Sequence, residues 1–282
     1  MTGILDSWIN GRGLPDVLVI DGHIHIGGWP CKATFSLEDA AVKSAAAMDA
    51  NGVDAVCAMS GGYMYPACDY RLGNDFLLAV WRKLPDRLIP FACINPNDSR
   101  ANILAELKRM LDCGMHCIKL INSYQENYPG DGPNLMAVYE FAASHNMLIL
   151  NHAWEPDALM KISGEYAKTN FILGHYFTGK GLEAVLRSRQ NVYVNVWDLG
   201  NFGWIDRGLK NIGADKFILG SDGFLNPLSA GIGPVVFAPI SDEQKRLVLG
   251  LTMARLLDQV DALPPVLKCK LDKKDRGARE RR

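Results

Sequence analysis

The feature that most limits how this chain can fold is its rhythm. Short apolar runs that read as β-strands alternate from end to end with amphipathic stretches that read as helices. The strand candidates are 17–26, 53–60, 88–94, 115–121, 147–152, 170–175, 191–196 and 216–222. Most are rich in Val, Ile and Leu and apolar on both faces, as strands of a parallel sheet covered on both sides should be. Between them, LEDAAVKSAAAMDANG and ANILAELKRMLDCG carry apolar residues at helical spacing and stop at Gly. The closing stretch SDEQKRLVLGLTMARLLDQV starts at Ser241, a plausible N-cap. Eight such units in 282 residues predict a (β/α)₈ TIM barrel forming a single domain over 1–282. The barrel itself would occupy about 17–260 and a flexible basic tail 268–282. A doubly wound open sheet is the alternative.

The ends of the strand candidates tilt the choice toward the barrel. His23 and His25 close VLVIDGHIHI, His152 follows MLILN, His175 follows FILG, and Asp222 follows KFILGS. Barrel active sites lie at the strand C-termini. A lone His there is more often a packing or hydrogen-bonding residue. Four of the six His plus an Asp at the same end of successive strands point instead to a metal site. Strand side chains alternate faces, so His23 and His25 share one. A hydrolytic metal site needs several N or O ligands and an open position for water, with an acid or base nearby.

These residues resemble the amidohydrolase superfamily, and within it the amidohydrolase-related branch of TIM-barrel metal-dependent hydrolases and decarboxylases. VIDGHIHIG resembles the strand-1 D-x-H-x-H motif, NHAW the strand-5 His, ILGHY the strand-6 His, and ILGSDGF the strand-8 Asp. LTMARLL resembles the family's N-A-x-R-L-L ending, with Thr252 in place of the common Asn. The resemblance implies that His23, His25, His152 and Asp222 ligate one divalent metal, zinc by preference. Asp222 and His175 would be the catalytic pair. Lys119 closes the fourth strand, where binuclear relatives carry a carboxylated Lys bridging two metals. An unmodified Lys119 that binds an anionic substrate group is the favoured reading, and the bridged second metal is the alternative.

The function expected is hydrolysis of a small ester, lactone or amide through a metal-activated water. Non-oxidative decarboxylation or hydration of an aromatic or unsaturated carboxylic acid is the runner-up, and a non-catalytic barrel the third. Lys119, Trp154 and Tyr176 are the candidate substrate contacts. Trp29, Tyr63, Tyr65, Trp197 and Arg71 sit in or near post-strand segments and could equally be packing or surface residues. GHYFTGKG at 174–181 nearly matches a phosphate-binding loop, but Gly181 stands where the Mg²⁺-binding hydroxyl should be. His116 and His145 read as structural.

Charge and composition bound the partners. The net charge is −1, which gives no electrostatic case for nucleic acid. The last fifteen residues carry eight Lys or Arg against three Asp or Glu, so the body is near −6. Seven scattered Cys, no basic leader and no long apolar run fit a cytoplasmic enzyme of small molecules with no membrane contact, and a homo-oligomer is left open.

Overall fold

The structure is a computed structural model that describes residues 3–27, 36–61, 69–175, 180–197 and 204–271. Eight strands follow one another around a single parallel sheet: β1 Ile20–Ile26, β2 Ala55–Ser60, β3 Leu88–Cys93, β4 Cys117–Leu120, β5 Leu148–Asn151, β6 Phe171–Leu173, β7 Val192–Asn195 and β8 Phe217–Ile218. Helices alternate with them: α1 Ile4–Ile9, α2 Leu37–Asn51, α3 Tyr70–Trp81, α4 Arg100–Asp112, α5 Pro133–Ser144, α6 Pro156–Glu165, α7 Lys180–Ser188, α8 Trp204–Ile212, α9 Leu228–Phe237, α10 Asp242–Arg246 and α11 Thr252–Gln259. This is the (β/α)₈ TIM barrel expected from the rhythm of the sequence. Closure runs through β1 and the residues just past β8. Gly22 N–H donates to Leu219 O at 2.8 Å, Asp222 N–H donates to His23 O at 2.9 Å, and His25 N–H donates to Gly223 O.

Strand side chains divide into two packed sets. Val19, Val56, Ile118, Ile149, Val194 and Leu219 pack outward with helix residues such as Leu77, Leu107, Val138 and Leu186. Leu18, Ile20, Cys57, Phe91, Cys117, Leu150 and Ile218 point inward. The inward set runs on into Met253, Leu256 and Leu257 of α11 and then Val260, Leu263 and Leu267, which seal the floor of the barrel. Ser241 does cap α10, accepting from Gln244 N–H at 3.2 Å, with Gln244 reaching back in a capping box. A π-helical turn, Leu247–Leu251, joins α10 to α11. Gly250 lies in it because a Cβ there would come within about 2.3 Å of Leu18 O. Among the described residues, no helix is long and apolar enough to cross a membrane.

Candidate metal centre

Strand alternation alone would put His23 and His25 on the wrong face. Leu18 and Ile20 point into the barrel, so unbroken period-two geometry would send Ile24 inward and both His outward. The chain avoids this with a β-bulge. Asp21 pairs with Val56 but Ile24 pairs with Ala58, so β1 advances three residues where β2 advances two. Ile24 and Ile26 therefore join the outward set, and His23 and His25 turn inward. Asp21 fixes the bulge: its buried carboxylate accepts from the N–H of His23 and of Ser221, both at 3.1 Å. Burial raises the Asp21 pKa to about 6, with the bonds from Ser221 and His23 opposing that rise. Gly22 is needed at the bulge because a Cβ would meet Ile218 Cγ2 at 2.8 Å and Leu219 O at 3.0 Å.

Asp222 reaches the centre from a turn rather than from a strand. β8 ends at Ile218, and Asp222 takes a left-handed backbone conformation with φ of 56°. Asp tolerates that region better than most side chains. His152 and His175 also lie just past β5 and β6. All three strands are shorter than the stretches 147–152, 170–175 and 216–222 that predict them.

His23 is fully buried, and its two ring nitrogens have different work. Nδ1 lies 3.0 Å from Gly174 O, which can only accept, so Nδ1 carries the proton. Nε2 then carries the lone pair, and it faces Lys119 Nζ at 3.0 Å and Asp222 Oδ1 at 3.8 Å. Gly174 allows this approach, since a Cβ there would stand 3.2 Å from His23 Cε1. His25 Nε2 is 3.0 Å from the same Asp222 oxygen. Burial holds His25 neutral, so that contact is a hydrogen bond onto a carboxylate rather than an ion pair. The rings form a continuous wall: His23 to His25 is 5.0 Å between centroids, His23 to His175 5.2 Å, and His152 to His175 4.4 Å.

Burial sets the charges. It pulls His23 well below its ordinary range, helped by the positive charge of Lys119, and lowers His152 to about 2. His175 falls to about 4 through burial, with Asp222 opposing. Lys119 is only 1% exposed, and burial lowers it to about 7 against the attraction of Asp222. For Asp222 burial would raise the value. The hydrogen bond from His25, with the positive charge of Lys119, outweighs it and leaves the carboxyl at about 2. The resting centre is thus an ionised carboxylate among neutral imidazoles.

This donor set fits a divalent cation. Ligand atoms of His23, His25 and Asp222 all lie within 4.8 Å of one another. The Gly174 carbonyl presents the His23 lone pair, as an outer partner commonly does for a ligating imidazole. His152 stands outside that group of three, against His175 and Tyr124. Lys119 joins the centre through His23, as its place at the end of β4 suggested.

Other expected contacts fall elsewhere. Trp154 is 6% exposed and packs its ring on Tyr139 and Phe171 in the outer layer, so it does not line the mouth. Arg71 is engaged by Asp69 at 2.9 Å and Asp98 at 3.7 Å. Tyr176, Trp29, Tyr63 and Tyr65 lie outside the described residues. Trp197 is buried. His145 caps α5 and stacks on Phe141, in keeping with its structural reading. Sequence reasoning missed three residues of consequence. Asp21 was quoted only as part of a motif. Asn195, fully buried against Gly22 and Gly220, has no side-chain partner among the described residues. Tyr124, five residues past Lys119, has its ring centroid 4.7 Å from that of His152. Asn195 closes β7, a position that could have signalled it; Asp21, inside β1, and Tyr124, in the turn past β4, carried no such signal.

A family model described as amidohydrolase matches residues 20–259. No curated protein matches the chain. Several solved structures share its fold. 5-Carboxyvanillate decarboxylase from Novosphingobium aromaticivorans, with bound manganese, has a TM-score of 0.68 at 13% identity, covering 87% of this chain and 99% of its own. 2,6-Dihydroxybenzoate decarboxylase from Rhizobium gives 0.66 at 16% identity, covering 86% and 99%. 4-Oxalomesaconate hydratase from Rhodopseudomonas palustris gives 0.69 at 14% identity, covering 91% and 100%. At such identities the likeness is one of fold.

Proposed function

Because the chain belongs to the amidohydrolase family, we propose that it is a metal-dependent hydrolase of a small ester, lactone or amide. His23, His25, His152 and Asp222 would hold one divalent ion, zinc by preference. When bound, such an ion lowers the pKa of water to about 7 and polarises a carbonyl oxygen. The observation that carries the reading is the cluster itself: ligand atoms of His23, His25 and Asp222 lie within 4.8 Å of one another. His175, its ring 5.2 Å from that of His23, is kept neutral by burial while Asp222 stays ionised. Both are proton acceptors at neutral pH, which is what activation of water demands first. Asp222 would take the proton of the attacking water. His175 would orient the carbonyl, take up that proton from Asp222 and deliver it to the leaving group. Lys119, already on His23, would set the positive potential that draws an anionic substrate inward.

A second reading is non-oxidative decarboxylation or hydration of an aromatic or unsaturated acid. It is supported by the names of the structural neighbours, two decarboxylases and a hydratase. Decarboxylation would ask the site for a proton transfer to carbon, through His175 or Asp222. Purified, metal-loaded protein offered esters, lactones, amides and aromatic acids decides between the two. Hydrolysis without CO₂ supports the first reading, and CO₂ release replaces it with the second.

A further inference from the structure

The turn after β4 carries an aromatic ring on a rigid mount. Residues Asn122–Tyr124 form one turn of 3₁₀-helix, and Tyr124 N–H donates to Ile121 O at 2.9 Å. Side-chain amides tie that turn to its neighbours. Asn122 accepts from Asn151 Nδ2 at 2.8 Å, at the end of β5, and donates to Tyr128 O at 2.6 Å. Gln125 donates to Ile94 O at 2.9 Å, just past β3, and its own carbonyl accepts from Asn97 Nδ2 at 3.0 Å. Asn122 and Gln125 are buried, and so is Ile121. Tyr124, between them, is 50% exposed. Its ring meets His152 at an interplanar angle of 54° on the mouth side of the barrel.

An aromatic ring left half in water gives up part of the stabilisation that burial would bring. A mobile ring could fold back onto the surface. This one is held where it is by four side-chain hydrogen bonds to strand ends and loops. Planar faces prefer other planar faces at 4.5–7 Å, in offset or tilted arrangements, as the pair with His152 already shows. We propose that Tyr124 is a specificity-determining residue: its exposed ring stacks on a planar, conjugated ring of the substrate, whose carboxyl or acyl end reaches His23, His25 and Asp222. This deepens the functional reading above and rests on it for the polar end of the substrate. It does not depend on which bond is cleaved.

The test uses two carboxylate probes of similar size, planar benzoate and saturated cyclohexanecarboxylate. Binding to the zinc-loaded full chain is measured by calorimetry, with metal content by elemental analysis on the same samples. Wild type should prefer benzoate by about tenfold, the upper range for one aromatic stacking contact. Tyr124→Phe should keep that preference. Tyr124→Leu should lose it, with cyclohexanecarboxylate affinity and metal content unchanged. Three results overturn the proposal: a wild type that does not discriminate or binds neither probe, a Tyr124→Leu variant that still prefers benzoate, or a variant that loses both probes together with metal. The last would make Tyr124 a support for His152. Failure of the metal reading shows separately, as wild-type protein that takes up no zinc. The same probe comparison on the metal-free chain then decides the role of Tyr124.

Discussion

The two ends of the barrel are built from the same eight strands and have opposite characters. At the floor, Leu18, Ile20, Ile89, Leu148 and Ile218 meet Leu256, Leu257, Leu263 and Leu267 in a sealed apolar plug. At the mouth, His23, His25, Lys119, His152, His175 and Asp222 crowd together, each with its charge shifted by burial or by the others. On β1 only two residues separate Ile20, a packing residue, from His23, a candidate ligand. The contrast teaches a division of labour. The floor gives rigidity cheaply, and the mouth gives up stability to hold titratable groups in unfavourable states.

The largest effects should come from the mouth. His175→Asn is expected to keep its metal while turnover falls about 10²–10⁴-fold, as for a lost acid–base group. His25→Ala should lose metal and turnover together. Elemental analysis beside steady-state kinetics checks both. A His175→Asn protein as metal-poor as His25→Ala would make His175 a ligand and move the proton transfer elsewhere.

At the floor the pattern should invert. Leu257→Ala removes a fully buried side chain from the plug and should cost about 2–5 kcal/mol of folding stability. Turnover per folded molecule should stay near wild type. Denaturant unfolding and kinetics on one sample measure the two quantities. Loss of turnover without loss of stability would contradict the division of labour.

Acid should separate the ends next. His152 is lowered to about 2 and His175 to about 4, against an ordinary value of 6.5. Below pH 6.5 the unfolded chain takes up protons that these folded imidazoles refuse, so stability falls with pH by about 1.4 kcal/mol per unit for each such His. The window runs from 6.5 down to about 4 for His175 and to about 2 for His152. Asp21 works in the opposite sense, since its folded value of about 6 lies above the ordinary 3.8. One carboxyl is outweighed by two or more imidazoles. Melting of metal-free protein at pH 7.5, 6.5 and 5.5 should show the decline. His152→Asn should flatten it, and Leu257→Ala should lower the whole curve at unchanged slope. An equal slope in all three proteins would sink the assignment.

The smallest effect expected is at Gly174. Its added Cβ in Gly174→Ala would stand 3.1 Å from Asn151 O and from His152 Cα and 3.2 Å from His23 Cε1, so the His23 ring must give way by a few tenths of an ångström. A displacement on that scale should weaken metal binding several-fold, read by chelator competition, with little change in melting. Unaltered affinity would mean that the centre tolerates more slack than its packing suggests.

Much of this was legible in the sequence, because the apolar runs report strands that are buried on both faces and the polar residues that end them stand out. The eight strands, their order and the convergence of His23, His25, His175, Asp222 and Lys119 all follow from that contrast. Three things did not follow. The bulge is invisible to a fixed period of two: HIH has the same spacing whether or not the strand has changed phase beneath it. Trp154 follows a site histidine by two residues, yet the chain leaves β5 and buries the indole outward on Phe171. Tyr124 sits in a stretch, INSYQENY, whose composition says only turn, and its value comes from amide contacts to segments about 30 residues away in either direction.

The way the barrel closes ties the beginning of the chain to its end. Ser221 N–H bonds Asp21 across 200 positions of sequence, and the Asp222 and His23 backbones pair directly. Three of the four candidate ligands, His23, His25 and Asp222, therefore sit on the two edges of one seam. In synthesis order His23 and His25 precede Asp222, which completes the group of three, by about 200 residues. Joining those edges closes a loop of about 200 residues, a step whose entropic cost grows only slowly with length. An ion shared by His23, His25 and Asp222 would act as a clasp on that seam. Its binding energy would add directly to the folded state, by RT ln(1 + [L]/Kd). Assembly of the candidate metal centre and closure of the barrel are then a single event.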